Sequence, residues 1–132
     1  MAIVVVDTDV VSFRFKKDTR ARLYKRHLLG QQPLIAFMTL AELCAWALER
    51  RWGIARQAEP ARHLGQYEVY YADEALCRLW AEVWTRARHK GKPIQVADAW
   101  IAATALTLDV PLVTHNPADF AGVDGLRLVS AA

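Results

Sequence analysis

The chain has 132 residues, and its 17 Lys and Arg against 14 Asp and Glu give a formal charge of +3 at pH 7. This length predicts a single domain over residues 1–132 that folds without disulfides. Cys44 and Cys77 match neither a zinc site nor a disulfide framework, and no apolar run approaches the ~20 residues that span a bilayer. The composition therefore argues against a membrane protein or a disulfide-rich secreted protein, and predicts a cytoplasmic protein with no membrane partner.

The first predicted element is a strand over Ile3–Val6, four β-branched residues in a row with no polar alternation. Such a run is typical of a strand that is buried on both faces of a parallel sheet. Asp7 and Asp9 follow at its carboxyl end, the edge at which open α/β sheets bind ligands. Both residues are also favoured as helix caps, so this segment alone leaves a capping role and a chemical role open.

Helices and strands alternate along the remaining chain. In chain order the predictions are a helical turn at 10–13, helix 18–29, strand 34–37, helix 39–52, helix 54–64, strand 68–71, helix 73–89, helix 94–108, strand 111–113, a short helix opened by Asn116, and strand 126–129. Gly30 and Gly53 are the expected ends of two helices. This alternation predicts an α/β fold, a three-layer α/β/α sandwich whose parallel sheet has about five strands.

Two predicted helices carry an acid in their first turn. Thr39 and Glu42 have the spacing of a capping box, which explains Glu42 without any function. Asp98 falls among Ile94 and Ile101 on a helical wheel, where an apolar residue is expected. A carboxylate placed there costs free energy unless it binds something, so Asp98 is a candidate functional residue.

Acids at strand ends and helix starts share one edge of a parallel sheet, the carboxyl edge of its strands. The acids in such positions are Asp7, Glu42, Asp98 and Asp119. Like charges in a partly buried site repel one another, and a bound divalent cation relieves that repulsion. Because the set lacks Cys and paired His, its oxygen ligands favour Mg²⁺ or Mn²⁺.

The same residues lie in an ordered set of motifs that resembles the PIN-domain ribonucleases, in particular the short VapC toxins of toxin–antitoxin pairs. The motifs are Asp7-Thr8-Asp9-Val10, Glu42 after Thr39, Asp98-Ala99-Trp100-Ile101-Ala102-Ala103 and Thr114-His115-Asn116-Pro117-Ala118-Asp119-Phe120. The resemblance covers essentially the whole chain. It implies a PIN-like domain with a five-stranded parallel sheet, a Mg²⁺- or Mn²⁺-dependent endoribonuclease that cleaves RNA, homodimerisation, and inhibition by a cognate antitoxin.

Carried over residue by residue, the resemblance assigns metal ligation and catalysis to Asp7, Glu42, Asp98 and Asp119. Some family members have an acid at the position of Asn116, so here Asp119 is left to supply the fourth charge. The hypothesis for the chemistry is that water attacks an RNA phosphodiester in line, and that Glu42 orients or deprotonates this water. Thr8, Thr114 and Asn116 are expected to hydrogen-bond the carboxylates around the metal.

Two alternatives remain open. The run Asp7-Thr8-Asp9-Val10-Val11 also fits the signature of haloacid-dehalogenase-like phosphatases, with Asp7 as the nucleophile and Asp9 as the general acid. That interpretation leaves Glu42 and Asp98 unexplained. The other alternative is a non-catalytic module of the same fold that binds RNA or protein, which the retained acids disfavour.

The cations, histidines and tryptophans are weaker signals. Basic residues cluster at 14–26 and 86–92, which suits RNA phosphates but is also common on a solvated helix face. Of the four histidines only His115 lies near the predicted site, and the others are expected at the surface. The five tryptophans are expected mostly in the core, with one or two at a dimer or antitoxin contact.

Overall fold

A parallel sheet of five strands forms the centre of the structure, a computed structural model that describes residues 2–49 and 64–132. The strands are β1 (Ile3–Val6), β2 (Gln32–Ala36), β3 (Glu68–Tyr70), β4 (Leu112–Val113) and β5 (Leu128–Val129). Their order across the sheet is β3-β2-β1-β4-β5, and each neighbouring pair is parallel. The predicted sheet is confirmed, with β5 as an edge strand.

Five α-helices and one short 3₁₀-helix occur among the described residues. They are α1 (Thr8–Phe15), α2 (Ala21–Leu28), α3 (Phe37–Glu49), α4 (Glu74–His89), α5 (Val96–Leu108) and the 3₁₀-helix Pro117–Phe120. Asp73 caps α4 by accepting a 2.8 Å hydrogen bond from the Leu76 backbone N–H. In the described part of the chain, no helix has the length and apolar character needed to cross a membrane.

The side chains of β1 alternate between two apolar layers. Val4 and Val6 pack on the face that α1, α2 and α3 cover, whereas Val5 packs on the opposite face against α4 and α5. None of these valines is more than 6% exposed. A strand that is covered on both faces needs apolar residues at consecutive positions, which is why the unbroken Ile3–Val6 run stands at the centre of the predicted three-layer sandwich.

The order in which the chain adds strands to the sheet reverses beside β1. The chain first builds outward from β1 to β2 and β3, and then returns to place β4 on the other side of β1. The Asp7 backbone N–H donates a 2.9 Å hydrogen bond to the Val113 carbonyl, so the ends of β1 and β4 are held together. Open α/β sheets have a crevice at such a switch point, outside the carboxyl ends of the strands.

Two helix starts differ from the sequence prediction because of local hydrogen bonds to aspartate side chains. The predicted turn at 10–13 is part of α1, which begins at Thr8 because Asp7 caps it. The predicted helix over 18–29 begins only at Ala21, since the Asp18 side chain bonds the Arg20 backbone N–H at 2.9 Å and forms a turn. Most other boundaries agree with the prediction to within about two residues, the usual uncertainty of helix ends.

The predicted capping box is wrong. The helix α3 begins at Phe37, directly after β2, so the predicted strand loses that residue. Thr39 is therefore a fully buried residue inside the first turn, and Glu42 is not its capping partner. Residues 50–63, which include the predicted end of this helix and nearly all of the predicted helix 54–64, lie outside the described residues.

The tryptophans are less buried than predicted. Those with intermediate exposure are Trp46, Trp80, Trp84 and Trp100, and Trp52 lies outside the described residues. Indole rings are large and are seldom fully buried. Trp80 stacks on Trp84 and on Trp100, with ring centroids 5.7 and 5.3 Å apart, so these rings cover one another at the border of the core.

Candidate active site

Asp7 lies between β1 and α1 and is only 6% exposed. Its Oδ1 accepts a 2.8 Å hydrogen bond from the Thr8 backbone N–H, and its Oδ2 accepts a 2.7 Å bond from Thr114 Oγ1. The Asn116 backbone N–H donates to the same Thr114 hydroxyl at 3.1 Å, which leaves the hydroxyl proton for the carboxylate. Asp7 therefore caps a helix and also faces the carboxyl edge of the sheet, so its capping role does not exclude the chemical role that the sequence left open.

The carboxyl group of Asp7 is difficult to ionise. Burial raises its pKa from 3.8 to about 8, and the neighbouring charges of Asp9 and Asp98 act in the same direction. The hydrogen bonds from Thr114 and Thr8 lower the pKa but do not offset these effects. A raised pKa of this origin means that burial first, and the neighbouring carboxylates second, disfavour the ionised form of Asp7.

Glu42 is connected to the end of β1 through Thr8. The Thr8 hydroxyl donates a 2.8 Å hydrogen bond to Glu42 Oε1 and lies 2.9 Å from the Thr39 hydroxyl. Because Thr8 has a single hydroxyl proton, Thr39 must donate to Thr8. This chain of hydrogen bonds joins α1 to α3 and fixes the Glu42 carboxylate at the same edge as Asp7.

Asp9 lies beside the predicted acids, although from the sequence only the phosphatase alternative gave it a definite chemical role. Its Oδ2 accepts hydrogen bonds from the His115 backbone N–H at 3.0 Å and from Asn116 Nδ2 at 2.8 Å. Burial raises the pKa of Asp9, while these bonds lower it. The signal was weak because an Asp three residues after a strand is typical of a helix cap, and its partners lie more than 100 residues later in the chain.

Asp98 lies in the first turn of α5, as predicted. Burial raises its pKa to about 6, and the Asp119 and Glu42 carboxylates add to this shift. Asp9 contributes in the same direction. Asp119 is exposed in the 3₁₀-helix that follows β4. Since charge interactions of this kind require proximity, the four predicted acids and Asp9 share one neighbourhood.

The acids approach one another without forming a closed ligand shell. Within residues 2–49 and 64–132, no group of three or more His, Cys, Asp or Glu side chains is arranged to hold a metal ion. The possible metal ligands are carboxylate oxygens, and the pKa values of the Asp7 and Asp98 carboxyl groups are raised. Oxygen donors with unrelieved negative charge suit a hard divalent cation, so these residues fit such an ion chemically.

A buried tyrosine supports the loop that carries Thr114. Tyr24 is fully buried on α2, and its hydroxyl lies 2.6 Å from His115 Nδ1. The same hydroxyl accepts a 3.2 Å hydrogen bond from the Ala131 backbone N–H. The sequence analysis singled out His115 but not Tyr24, because a Tyr within a basic helix carries no pattern that predicts a distant partner.

Comparison with known proteins places these observations in a family. The family model described as PIN domain matches residues 4–126. Ribonuclease VapC1 of Haemophilus influenzae is 26% identical over 131 residues, covering 95% of each chain. Ribonuclease VapC5 of Mycobacterium tuberculosis is 28% identical over 127 residues, covering 95% of this chain and 90% of that protein.

A solved structure has the same fold. In the crystal structure of VapBC2 from Rickettsia felis bound to a DNA fragment from their promoter, the similar chain superposes with a TM-score of 0.86 at 22% identity. The match covers 98% of this chain and 99% of that one. At this level of sequence identity, the similarity shows that the two chains share a fold.

Proposed function

The chain belongs to the PIN domain family, and from this premise we propose that it is a metal-dependent endoribonuclease and the toxin of a toxin–antitoxin pair. The observation that carries the proposal is the convergence of acids from different elements on one sheet edge. The charges of Asp119 after β4 and of Glu42 on α3 both raise the pKa of Asp98 on α5. The relatives named Ribonuclease VapC, which align over almost the whole chain, support the same activity.

We propose that Mg²⁺ or Mn²⁺ is the cofactor, held by Asp7, Glu42 and Asp98, with Asp119 contributing directly or through water. Such an ion lowers the pKa of water and offsets negative charge on a phosphodiester. Thr114 and Thr8 would hold the carboxylates of Asp7 and Glu42 in place through their hydroxyl groups.

The chain's own residues divide the work of hydrolysis. Glu42 Oε1 accepts one hydrogen bond from Thr8, so its second lone pair remains for a metal ion and Oε2 accepts a proton from the attacking water. The water oxygen forms a bond to phosphorus while the bond from phosphorus to the leaving ribose oxygen breaks, and that oxygen takes up a proton from solvent. Asp9, held by His115 and Asn116, keeps the loop after β4 against α1 during this step.

The phosphates on either side of the cleaved bond are negatively charged, and basic residues of α1 and α2 are available to neutralise them. Arg14, Arg22 and Lys25 line a surface cavity of about 530 Å³ on these helices. Each basic cluster has one ion pair among the described residues, Arg20 with Asp18 and Lys90 with Asp124. We assign flanking phosphates to the first cluster because three of its cations line one cavity.

The haloacid-dehalogenase-like alternative leaves Glu42 and Asp98 without a role. The structure ties Glu42 to the end of β1 through Thr8, and the pKa of Asp98 responds to the other acids. The family match also disfavours this alternative.

We further propose a cognate antitoxin as partner and a homodimer as the assembled form, in the cytoplasm where RNA is available. Similar structures of VapBC complexes support the first of these partners. Apolar side chains that remain exposed, Leu29, Leu48 and Val96, offer surface for such contacts. Light scattering of the protein alone and with a co-expressed partner measures both assemblies.

The decisive experiment is cleavage of mixed tRNA and ribosomal RNA by the purified protein with Mg²⁺, with Mn²⁺ and with EDTA. We expect discrete fragments that require metal and disappear in Asp98→Asn. The matched control is Asp109→Asn, an exposed site with a left-handed backbone that Asn tolerates. Intact RNA under every metal condition, from protein free of a bound inhibitor, would refute the proposal.

A further inference from the structure

The hydroxyl of Tyr24 joins three separate parts of the chain. It lies 2.6 Å from His115 Nδ1 and 3.3 Å from the Thr114 carbonyl oxygen, and it accepts a hydrogen bond from the Ala131 N–H. Tyr24 itself has no exposed surface. A hydroxyl has one proton to donate, so it can make a full hydrogen bond to the ring nitrogen or to the carbonyl but not to both.

The two contacts differ in length. Hydrogen bonds donated by hydroxyl groups are usually about 2.5–3.0 Å long, and the bond from Tyr24 to the Thr114 carbonyl is longer, at 3.3 Å. The 2.6 Å contact with His115 Nδ1 is within the range. The shorter contact favours donation from Tyr24 to Nδ1, which leaves the proton of a neutral imidazole on Nε2.

The His115 ring is also fixed in orientation. It meets Phe13 edge-on with centroids 5.2 Å apart, and Tyr24 edge-on at 5.6 Å. The side chain is partly exposed, and Nε2 is neither paired with another described residue nor among the buried unsatisfied atoms. The backbone N–H of the same residue donates to Asp9, and the imidazole lies close enough to lower the pKa of Asp9, so the ring is at the edge of the acidic site.

We propose that His115 Nε2–H donates a hydrogen bond to a non-bridging phosphate oxygen of bound RNA, and that Tyr24 positions this donor. The inference rests on the proposed ribonuclease function and adds a substrate-binding residue to it. A phosphate that approaches several carboxylates gains from a donor at their rim, because hydrogen bonds to charged groups are stronger than those between neutral ones. The fixed tautomer presents this donor without reorganisation.

The position of the proton can be measured without RNA. A long-range ¹H–¹⁵N spectrum of the full chain, at a pH where the ring is neutral, distinguishes a bare ring nitrogen from a protonated one. We expect Nδ1 bare and Nε2 protonated in the wild type. In Tyr24→Phe, which lacks the donor, we expect a mixture of both tautomers. A wild-type ring with its proton on Nδ1 would overturn the proposal.

The phosphate contact is tested by steady-state cleavage of a single-stranded RNA. His115→Asn, which has no donor at the Nε2 position, is expected to raise KM about tenfold with kcat little changed, the loss of one charge-assisted hydrogen bond. His115→Gln can place an amide N–H near that position and is expected to recover most of the affinity. The exposed His89→Asn serves as the matched control and should leave KM unchanged.

The outcomes separate this proposal from the one on which it depends. If the wild type cleaves RNA and His115→Asn has the wild-type KM, the phosphate contact does not exist although the nuclease does. If His115→Gln is as poor as His115→Asn, the Nε2 donor is the wrong atom. Absence of cleavage by the wild type refutes the ribonuclease function itself.

Discussion

Thr114 Oγ1 donates a 2.7 Å hydrogen bond to Asp7 Oδ2, although 107 positions separate the two residues in the sequence. The bond crosses from the end of β4 to the end of β1, neighbouring strands at the centre of the sheet. It is one of two effects that lower the pKa of Asp7 against the larger effect of burial. A single hydroxyl therefore orients the most buried carboxylate of the site and favours its ionised form.

Removal of this hydroxyl should weaken metal binding. Thr114→Val keeps the shape of the side chain but leaves Asp7 Oδ2 without its donor, so the pKa of Asp7 rises further. We expect Mn²⁺ affinity to fall about 10–100-fold, as for other groups that orient metal ligands. Thr114→Ser, which keeps the hydroxyl, should remain near the wild type. Calorimetric titration of both variants checks this, and equal affinity in Thr114→Val would contradict it.

Stability of the metal-free protein should fall as the pH rises. The folded-state pKa of Asp7 is raised to about 8 and that of Asp98 to about 6, so between pH 4 and 8 the folded chain retains protons that the unfolded chain releases. Each such proton makes the free energy of unfolding decrease by at most about 1.4 kcal/mol per pH unit.

Urea unfolding in EDTA at pH 5 and at pH 7.5 measures this dependence. Stability should be greater at pH 5, and Asp7→Asn should flatten the change because an amide does not titrate. A wild type that is equally stable at both pH values would show that Asp7 ionises normally in the folded protein.

Metal binding at neutral pH should release protons. At pH 7 a carboxyl group with a pKa of about 8 is mostly protonated, and a ligand must lose its proton before it binds a cation. Titration of Mg²⁺ or Mn²⁺ in buffers of different ionisation enthalpy should give a heat that depends on the buffer. At pH 9 this dependence should disappear, and its persistence there would point to a different proton donor.

The RNA affinity should depend on salt through α2. We expect the double variant Arg22→Ala/Lys25→Ala to bind RNA more weakly at low salt. The slope of log affinity against log salt concentration should become shallower by about 1.4, which is about 0.7 for each lost contact with single-stranded RNA. Arg78→Ala is the control, because Arg78 lies on α4, on the other face of the sheet from α2, where it pairs with Glu74 of the same helix. An unchanged slope in the double variant would place the RNA elsewhere.

The sequence predicted the residues whose position follows from strand and helix order. Ile3–Val6 indicated a central strand because burial on both faces requires consecutive apolar residues, and the acids after strands indicated one shared edge. The same reasoning placed Asp98 in the first turn of α5, where the structure has it. These predictions need only the direction of the strands and the period of the helices.

The partners of polar side chains were not predictable in this way. Thr39 and Glu42 have the spacing of a local cap, but their hydroxyl and carboxylate meet Thr8 instead. Asp9 and Tyr24 bond groups that lie about 90 or more residues away. Local spacing contains no information about which distant strand becomes a neighbour, and this neighbour decides whether an acid caps a helix or joins a site.

The placement of β1 beside β4 affects the chain while it is being synthesised. A domain folds as a unit once enough of it has left the ribosome, and a chain released only to residue 111 has β1 and Asp7 but neither β4 nor Thr114. One side of β1 is then unpaired, and Asp7 lacks its hydroxyl donor. Such a chain has no assembled site, because the first acids of the sequence meet Thr114 and Asn116 only after one of the last segments to be synthesised has been released.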